Sequence, residues 1–217
     1  MRNGHRTRRL VTPWGIESLE QRRLLSGNVT VSFDAGTNTV NIVGDNKANE
    51  IVLSGSLGGG TYTIAGVNGT TVNGKSSVTR PVVGANGSNF NVSLGNGDDV
   101  VRFGSVAPAF VPFTANSLRV DTGNGDDTVA LADATLRTGG LAVSTGNGDD
   151  TVRVEFSDIL GGQTINTGNG DDAVSFGNEV NVVTGASQID AGRGFDTLAG
   201  ASNLNVASGL RREIGFE

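Results

Sequence analysis

Cysteine is absent from this 217-residue sequence, and histidine occurs only once, at His5. Without cysteine the chain can form neither a disulfide nor a thiolate metal site. A single histidine near the start makes a histidine-based metal cluster or a Ser-His-Asp triad close to impossible. The sequence therefore lacks the side chains for several common kinds of catalytic and metal site.

Aromatic residues are also scarce, at 5% of the sequence. The apolar residues, 36% of the chain, are largely Val, Leu, Ile and Ala, which suits thin β layers better than a bulky globular core. No apolar stretch is long enough for a membrane span. The basic start is not followed by the apolar run of about 7 to 15 residues that an ordinary secretory signal peptide needs.

The net charge of −6 is distributed unevenly along the chain. Residues 1–25 contain six Arg and two Glu, which gives +4, whereas residues 91–200 contain five Arg and fifteen acidic residues, which gives −10. An acidic body repels phosphate backbones, so we expect no nucleic-acid partner for the main domain. Divalent cations and basic surfaces are the expected partners instead.

The segment Glu17–Ser26 follows the basic start and reads Glu-Ser-Leu-Glu-Gln-Arg-Arg-Leu-Leu-Ser. It resembles the LEPR-XLL segment found near the N-termini of secreted or surface proteins of planctomycete bacteria, with Gln21 in place of the proline. The resemblance implies that residues 1–26 are a sorting-like segment and that the protein is secreted or belongs to a bacterial cell envelope. The alternative is a short amphipathic helix that caps the domain.

Glycine, with 34 residues, is abundant, and many glycines belong to a repeated pentapeptide. The motif Gly-Asn-Gly-Asp-Asp first occurs at Gly95–Asp99. It recurs at Gly123–Asp127, Gly146–Asp150 and Gly168–Asp172, and in a degenerate form at Gly192–Asp196. Successive first glycines are 28, 23, 22 and 24 residues apart. A sustained period of this length is typical of repeat architectures.

Apolar residues stand at fixed positions around each copy and alternate with polar or small ones, which predicts strands with one buried face. The positions three residues before the motif are Val92, Val120, Val143, Ile165 and Ile189, and those two residues after it are Val101, Val129, Val152, Val174 and Leu198. Because one such unit cannot bury its apolar face alone, the units must stack. The sequence predicts an all-β fold, a parallel β-solenoid with coils of about 22–28 residues.

We assign this solenoid to residues 27–205 and a C-terminal cap or tail to residues 206–217. Upstream of the clear repeats, residues 28–43 alternate like a hairpin or a first coil, and residues 44–52 resemble a degenerate turn followed by a strand. Residues 61–65 and 70–72, around an Asn-Gly turn, predict a second hairpin. The two prolines within Val106–Phe113 predict a loop that leaves one coil.

Stacking four copies of the turn would place eight carboxylates along one edge of the solenoid. Like charges about 4.8 Å apart repel by roughly 3 to 4 kcal/mol at an effective dielectric constant near 20. A hard cation with oxygen ligands, above all Ca²⁺, would turn this repulsion into binding energy. The candidate metal ligands are Asp98, Asp99, Asp126, Asp127, Asp149, Asp150, Asp171, Asp172 and, in the degenerate copy, Asp196.

Thr122–Val129 and its counterparts in the other copies resemble the RTX, or haemolysin-type, repeat Gly-Gly-x-Gly-x-Asp-x-apolar-x. The resemblance implies a parallel β-roll that binds Ca²⁺ through the second aspartate of each motif and through neighbouring Gly and Asn carbonyl groups. RTX repeats follow one another about every nine residues, whereas here the turn occurs once per coil, on one edge. A metal-free ladder of turns with outward-pointing aspartates is the alternative.

No position of the repeat carries a reactive side chain, so we expect no enzymatic activity. The sequence predicts a secreted or cell-surface structural or adhesion-type repeat protein, with calcium ions and components of the cell envelope or matrix as partners. The alternative is a lyase-like β-helix enzyme that acts on polysaccharides, with Arg102, Arg119, Arg137 and Arg153 flanking the acidic edge.

Overall fold

The computed structural model of the protein describes residues 27–55, 60–82, 84, 87–104, 112–177, 181–206 and 211–216. In this part the fold is all-β, a parallel β-solenoid of about five turns. The predicted fold class is therefore confirmed. The sorting-like segment 1–26 lies outside the described residues, as do residues 105–111, which make up most of the predicted proline loop.

Two sheets form the solenoid. The larger sheet contains β1 (Asn28–Asp34), β2 (Thr39–Val43), β5 (Thr71–Val72), β7 (Asn89–Asn96), β9 (Phe113–Asn124), β11 (Ala134–Asn147), β13 (Asp158–Ile159), β14 (Gln163–Asn169), β16 (Asn181–Val183), β17 (Ser187–Asp190), β19 (Leu204–Val206) and β20 (Arg211–Ile214). The smaller sheet contains β3 (Glu50–Gly55), β4 (Thr61–Gly66), β6 (Ser77–Pro81), β8 (Val100–Gly104), β10 (Thr128–Ala132), β12 (Thr151–Glu155), β15 (Ala173–Phe176) and β18 (Thr197–Ala199). A 3-10 turn spans Ala201–Asn203.

The parallel register places equivalent residues of successive repeats next to each other. In the larger sheet Val120 lies opposite both Val92 and Val143, and in the smaller sheet Val129 lies opposite both Val101 and Val152. These side chains face inward and are buried. The apolar columns predicted from the sequence are therefore the core of the solenoid.

The N-terminal end of the solenoid is closed by antiparallel strands. β1 and β2 form the predicted hairpin, and β2 also begins the first coil by pairing in parallel with β7. β3, the strand predicted to follow a degenerate turn, pairs in parallel with β8. Edge-to-face contacts of Phe90 with Tyr62 and Phe113, each with ring centroids 5.0 Å apart, fill this end of the core.

The second predicted hairpin is wrong in its pairing. The Asn-Gly turn at Asn68 and Gly69 does form, with positive φ at both residues. However, β4 pairs in antiparallel fashion with β3 and β6, whereas β5 pairs in parallel with β1 in the other sheet. The alternating residues Tyr62 and Ile64 of β4 are buried beside β3. In the smaller sheet β4 forms five residue pairs with each neighbour, whereas β5 is only two residues long.

Parallel pairing continues beyond residue 205 at the C-terminal end. β19 pairs with β16, and β20 pairs with β17. The stretch predicted to be a cap or tail, residues 206–217, therefore supplies a strand that extends the larger sheet.

Candidate cation-binding turns

Each Gly-Asn-Gly-Asp-Asp segment forms the turn between a strand of the larger sheet and the next strand of the smaller sheet. The second glycine of the motif must be glycine for two reasons, as Gly148 illustrates. Its φ is +128°, and a Cβ added there would lie 2.1 Å from the carbonyl oxygen of Gly125 in the preceding coil. The turns stack so closely that backbone lies directly on backbone, which fixes the height of each aspartate relative to its neighbours.

The asparagine of the motif forms a ladder along the exposed side of the turns. Each Nδ2 donates to the Oδ1 of the asparagine in the preceding coil, at 2.6 to 2.9 Å, from Asn169 through Asn147, Asn124 and Asn96 to Asn46. Side-chain hydrogen bonds of this kind contribute about 0.5 to 1.5 kcal/mol each. The ladder therefore helps to hold the turns in register.

The structure divides the predicted metal ligands into two columns with different surroundings. The inner column, formed by the last residue of each motif, consists of Asp99, Asp127, Asp150, Asp172 and Asp196, which are all at most 1% exposed. The outer column, formed by the preceding residue, consists of the exposed residues Asp98, Asp126, Asp149 and Asp171. The alternative in which all aspartates point outward does not hold for the inner column.

Each inner aspartate uses one carboxylate oxygen to bind the coil before it. Oδ1 of Asp127 accepts the backbone N–H of Asp99 at 2.8 Å, and Oδ1 of Asp150 accepts that of Asp127 at 2.8 Å. The same bond recurs from Asp172 and from Asp196, at 2.9 Å. Charge-assisted bonds to backbone N–H groups are among the stronger hydrogen bonds in proteins.

The second oxygen of every inner carboxylate has no hydrogen-bond partner. Oδ2 is buried and unpartnered in all five residues, namely Asp99, Asp127, Asp150, Asp172 and Asp196. A buried polar atom without a partner normally costs about 1 to 3 kcal/mol. A column of five such oxygens, one per coil, is therefore a feature that demands a proton or a ligand.

Buried threonines precede the motif and lie beside the inner carboxylates. The hydroxyls of Thr122, Thr145 and Thr167 donate to a backbone carbonyl of the following coil, at 3.0 to 3.3 Å. Each hydroxyl has one proton and two acceptors within reach, this carbonyl and the aspartate carboxylate. When the carbonyl takes the proton, the carboxylate oxygen has none to accept.

The outer aspartates bind the coils in the opposite direction. Oδ1 of Asp126 accepts the backbone N–H of Asp149 in the next coil at 2.9 Å, and Oδ1 of Asp149 accepts that of Asp171 at 2.8 Å. The inner and outer columns together tie each turn to the turn before it and to the turn after it.

Burial shifts the titration of the inner carboxylates. It raises the pKa of Asp99 to about 7 and that of Asp150 to about 6, and it also raises the pKa values of Asp127 and Asp172. Hydrogen bonds from Asn49 lower the pKa of Asp99 in part, and the nearby Thr145 hydroxyl does the same for the pKa of Asp150, while the neighbouring inner carboxylates raise both values. The charged form of the inner column is costly because its carboxylates are both buried and close together.

Two components of the site were not predicted from the sequence. Asn49 occupies the aspartate position in the first coil and donates its backbone N–H to Oδ1 of Asp99 at 2.7 Å. Asn49 precedes Ile51 by two residues, just as Asp99 precedes Val101, and this spacing is the signal that identifies it. The threonines were the other omission, although threonine immediately precedes the motif in three of its copies.

The arginines beside the acidic edge do not neutralise the columns. Arg102 pairs with Glu50 at 2.6 Å, and Arg153 pairs with Glu155. Within the described residues, no group of three or more Asp, Glu, His or Cys side chains is arranged to hold a metal ion. An ion at the turns would therefore need backbone oxygens in addition to carboxylates.

Comparison of the chain with protein-family models, with curated proteins and with solved structures finds no match. The fold and the turns by themselves define the class, a parallel β-solenoid repeat protein with a buried and an exposed column of aspartates along one edge. No helix in the described ranges is both long and apolar enough to cross a membrane.

Proposed function

We propose that the protein is a structural or adhesion-type repeat protein, secreted or held in a bacterial cell envelope, whose stacked turns bind Ca²⁺. The observation that carries the calcium proposal is the column of unpartnered, buried Oδ2 atoms in the inner aspartates. The resemblance of Glu17–Ser26 to the LEPR-XLL segment supports the location. Components of the envelope or matrix are the macromolecular partners that such a location offers.

The donor set suits a hard cation. Ca²⁺ takes six to eight oxygen ligands, from carboxylates and from backbone carbonyl groups. The inner aspartates would supply carboxylate oxygens, and the Gly and Asn carbonyl groups of the same turns would supply others, as the RTX resemblance implies. The exposed outer aspartates add negative charge beside these positions and would strengthen the attraction for the ion.

Ca²⁺ would also relieve the main electrostatic cost of this fold. Buried charges are stable only when they are paired or coordinated, and the nearby arginines pair with glutamates instead. Binding to the folded state raises stability by RT ln(1 + [L]/Kd), which is about 2.7 kcal/mol when the free ligand is at 100 times Kd. Calcium should therefore stabilise the solenoid measurably.

A calcium titration followed by thermal unfolding tests this proposal. We expect the Tm of the EDTA-treated protein at pH 7.5 to rise by several degrees at millimolar Ca²⁺, and less with Mg²⁺, which requires tighter octahedral geometry. Asp150→Asn should reduce the rise because it removes one inner carboxylate. The matched control Asp158→Asn removes the same charge from an exposed position on β13 and should keep the full rise.

Two results would overturn the calcium proposal. One is a Tm that does not change with Ca²⁺. The other is a rise that both aspartate variants keep in full, because it would place the ion elsewhere or make its effect one of general charge screening.

A structural role accounts for the acidic residues without a catalytic one. Each inner and outer aspartate recurs once per coil and bonds a neighbouring turn, so its presence is explained by the stacking. The lyase-like alternative requires cleavage, which incubation with acidic polysaccharides and measurement of unsaturated products would reveal. We expect no such products.

A further inference from the structure

An open trench runs along the outer face of the larger sheet, on a different side of the solenoid from the aspartate columns. It crosses β9, β11, β14 and β17 and has a volume of about 500 Å³. Three coil steps of about 4.8 Å give it a length of roughly 14 Å along the solenoid axis. This volume falls within the usual range for ligand sites, about 300 to 1,000 Å³.

The trench exists because its floor carries almost no side chains. Gly139, Gly162 and Ala186 line it from three successive coils, and Ala142 contributes only a methyl group. Close packing of successive coils explains Gly139, since a Cβ there would lie 2.4 Å from the Cβ of Ser117. The coil corners therefore leave a bare channel parallel to the axis.

The wall of the trench offers unused hydrogen-bonding groups. Arg119, Ala142, Thr164 and Gln188 occupy one outward column through the parallel register. Arg119, Thr164 and Gln188 are exposed, and none of them forms a side-chain hydrogen bond or ion pair to another described residue. A guanidinium, a hydroxyl and an amide thus line one side of a channel that has no aromatic lining residue, and its two leucines, Leu118 and Leu141, are almost fully buried beneath it.

The charge of this column contrasts with that of the body. The column continues from Gln188 to Arg212 on β20, so two arginines flank the polar residues and no acidic residue interrupts them. Residues 91–200 carry a charge of −10 in total. The outward column two residues further along includes Asp121 and Asp190, which can accept hydrogen bonds from hydroxyl groups.

From these features we infer that the trench binds an acidic polysaccharide, with the sugar chain parallel to the solenoid axis. The long, narrow shape fits a linear polymer, and the wall groups match the hydroxyls of a sugar. Guanidinium groups bind carboxylates with charge assistance and often in a bidentate manner, so Arg119 and Arg212 would bind uronate carboxylates. This binding is independent of the calcium proposal because it uses another face and other residues.

Isothermal titration calorimetry, which measures the affinity for polygalacturonate, tests the inference. The full chain is measured at low salt in EDTA, which prevents calcium from bridging the protein and the sugar, with dextran as the neutral polymer. We expect polygalacturonate to bind and dextran to bind at least about tenfold more weakly. Arg119→Gln and Ala142→Phe, the latter filling the trench, should each weaken binding by about tenfold or more.

Matched variants on the smaller sheet control for charge and bulk. Arg153→Gln removes the same charge, and Ala130→Phe adds the same ring between two outward arginines, Arg102 and Arg153; both should leave binding unchanged. The inference is overturned if polygalacturonate does not bind in EDTA, or if Arg153→Gln weakens binding as much as Arg119→Gln. It is also overturned if dextran, or single-stranded DNA as a second polyanion, binds as well as polygalacturonate. Circular dichroism of each variant establishes that it has folded, and Arg119→Gln decides the outcome if Ala142→Phe has not.

Discussion

We expect the inner aspartates to determine how the stability of the solenoid depends on pH and on calcium. An inner aspartate such as Asp150 has one oxygen fully engaged and the other without a partner. Such a group can be satisfied by a cation or by its own proton, which would let Oδ2 donate to the adjacent threonine hydroxyl. A bound cation and a bound proton exclude each other at any one carboxylate, so protons and calcium should compete for the inner column.

The metal-free protein should be more stable at mildly acidic than at neutral pH. The folded-state pKa of Asp150 is raised to about 6, well above the value near 4 of the unfolded chain. Between these values the folded protein holds a proton that the unfolded chain has released, so the free energy of unfolding falls as the pH rises from about 4 to about 6. For Asp99 the same interval extends to about 7.

Asp150→Asn tests the contribution of this residue. Asparagine keeps an oxygen for the N–H of Asp127 but cannot ionise, so the variant should lose less stability than the wild type between pH 5 and pH 7.5. The difference should be on the order of 1 to 3 kcal/mol, measured by urea unfolding in EDTA. Asp158→Asn should match the wild type, and a wild-type-like pH dependence in Asp150→Asn would contradict the expectation.

The turn tolerates no Cβ at its second glycine. Gly148→Ala should destabilise the protein by about 3 kcal/mol or more, because the new methyl group would lie 2.1 Å from a backbone carbonyl oxygen and the residue has positive φ. Gly95→Ala separates these two causes, since Gly95 has a φ of +105° and the nearest atom to an added Cβ would lie 3.5 Å away, an ordinary van der Waals contact. It should cost only about 1 to 2 kcal/mol.

Chemical denaturation of both glycine variants measures these costs. Equal losses of stability would show that the positive φ, and not the close contact between coils, dominates at Gly148.

The strands of the repeat could be predicted because the same alternation of apolar and polar residues occurs in every copy. Val120 and Val143 align in the structure as they do in the sequence, since equivalent positions of stacked coils must share the same interior. The split of each aspartate pair into a buried and an exposed residue follows from the same alternation. Asp127 is two residues before Val129 and shares its inward direction, whereas Asp126 does not.

Other elements lie outside the sequence repeat and could not be predicted from it. The trench depends on Gly139, Gly162 and Ala186, which lie in the variable return segments, next to the register shift in the pairing of β11 with β9. The partner of β4 was also hidden, because a tight Asn-Gly turn fixes a local bend but not the sheet in which each arm is buried. Sequence periodicity thus predicted the repeated coils and failed where the chain departs from them.

Removing one complete coil should preserve the fold. Deletion of residues 146–167 joins Thr145 to Gly168 and brings Asp127 next to Asp172, so the apolar and aspartate columns remain continuous. Because stability in a stacked repeat is approximately a sum over coils and their interfaces, the shortened protein should fold with a lower Tm.

Circular dichroism and thermal unfolding test this deletion. Deleting residues 146–156, half a coil, serves as the control because it turns the following strands onto the wrong sheet. It should abolish the cooperative transition. A half-coil deletion that unfolds as cooperatively as the full-coil deletion would show that register between coils is not what stabilises the molecule.

The parallel register also governs the order in which the chain can be built. From β9 to β17 each strand has its earlier partner only one coil, 21 to 28 residues, before it in the chain. The antiparallel N-terminal strands are synthesised before the coils and can already provide strand edges with which the first coil pairs. Each coil that follows then meets its template as soon as it is synthesised, so assembly can proceed during translation without waiting for the distant end of the polypeptide.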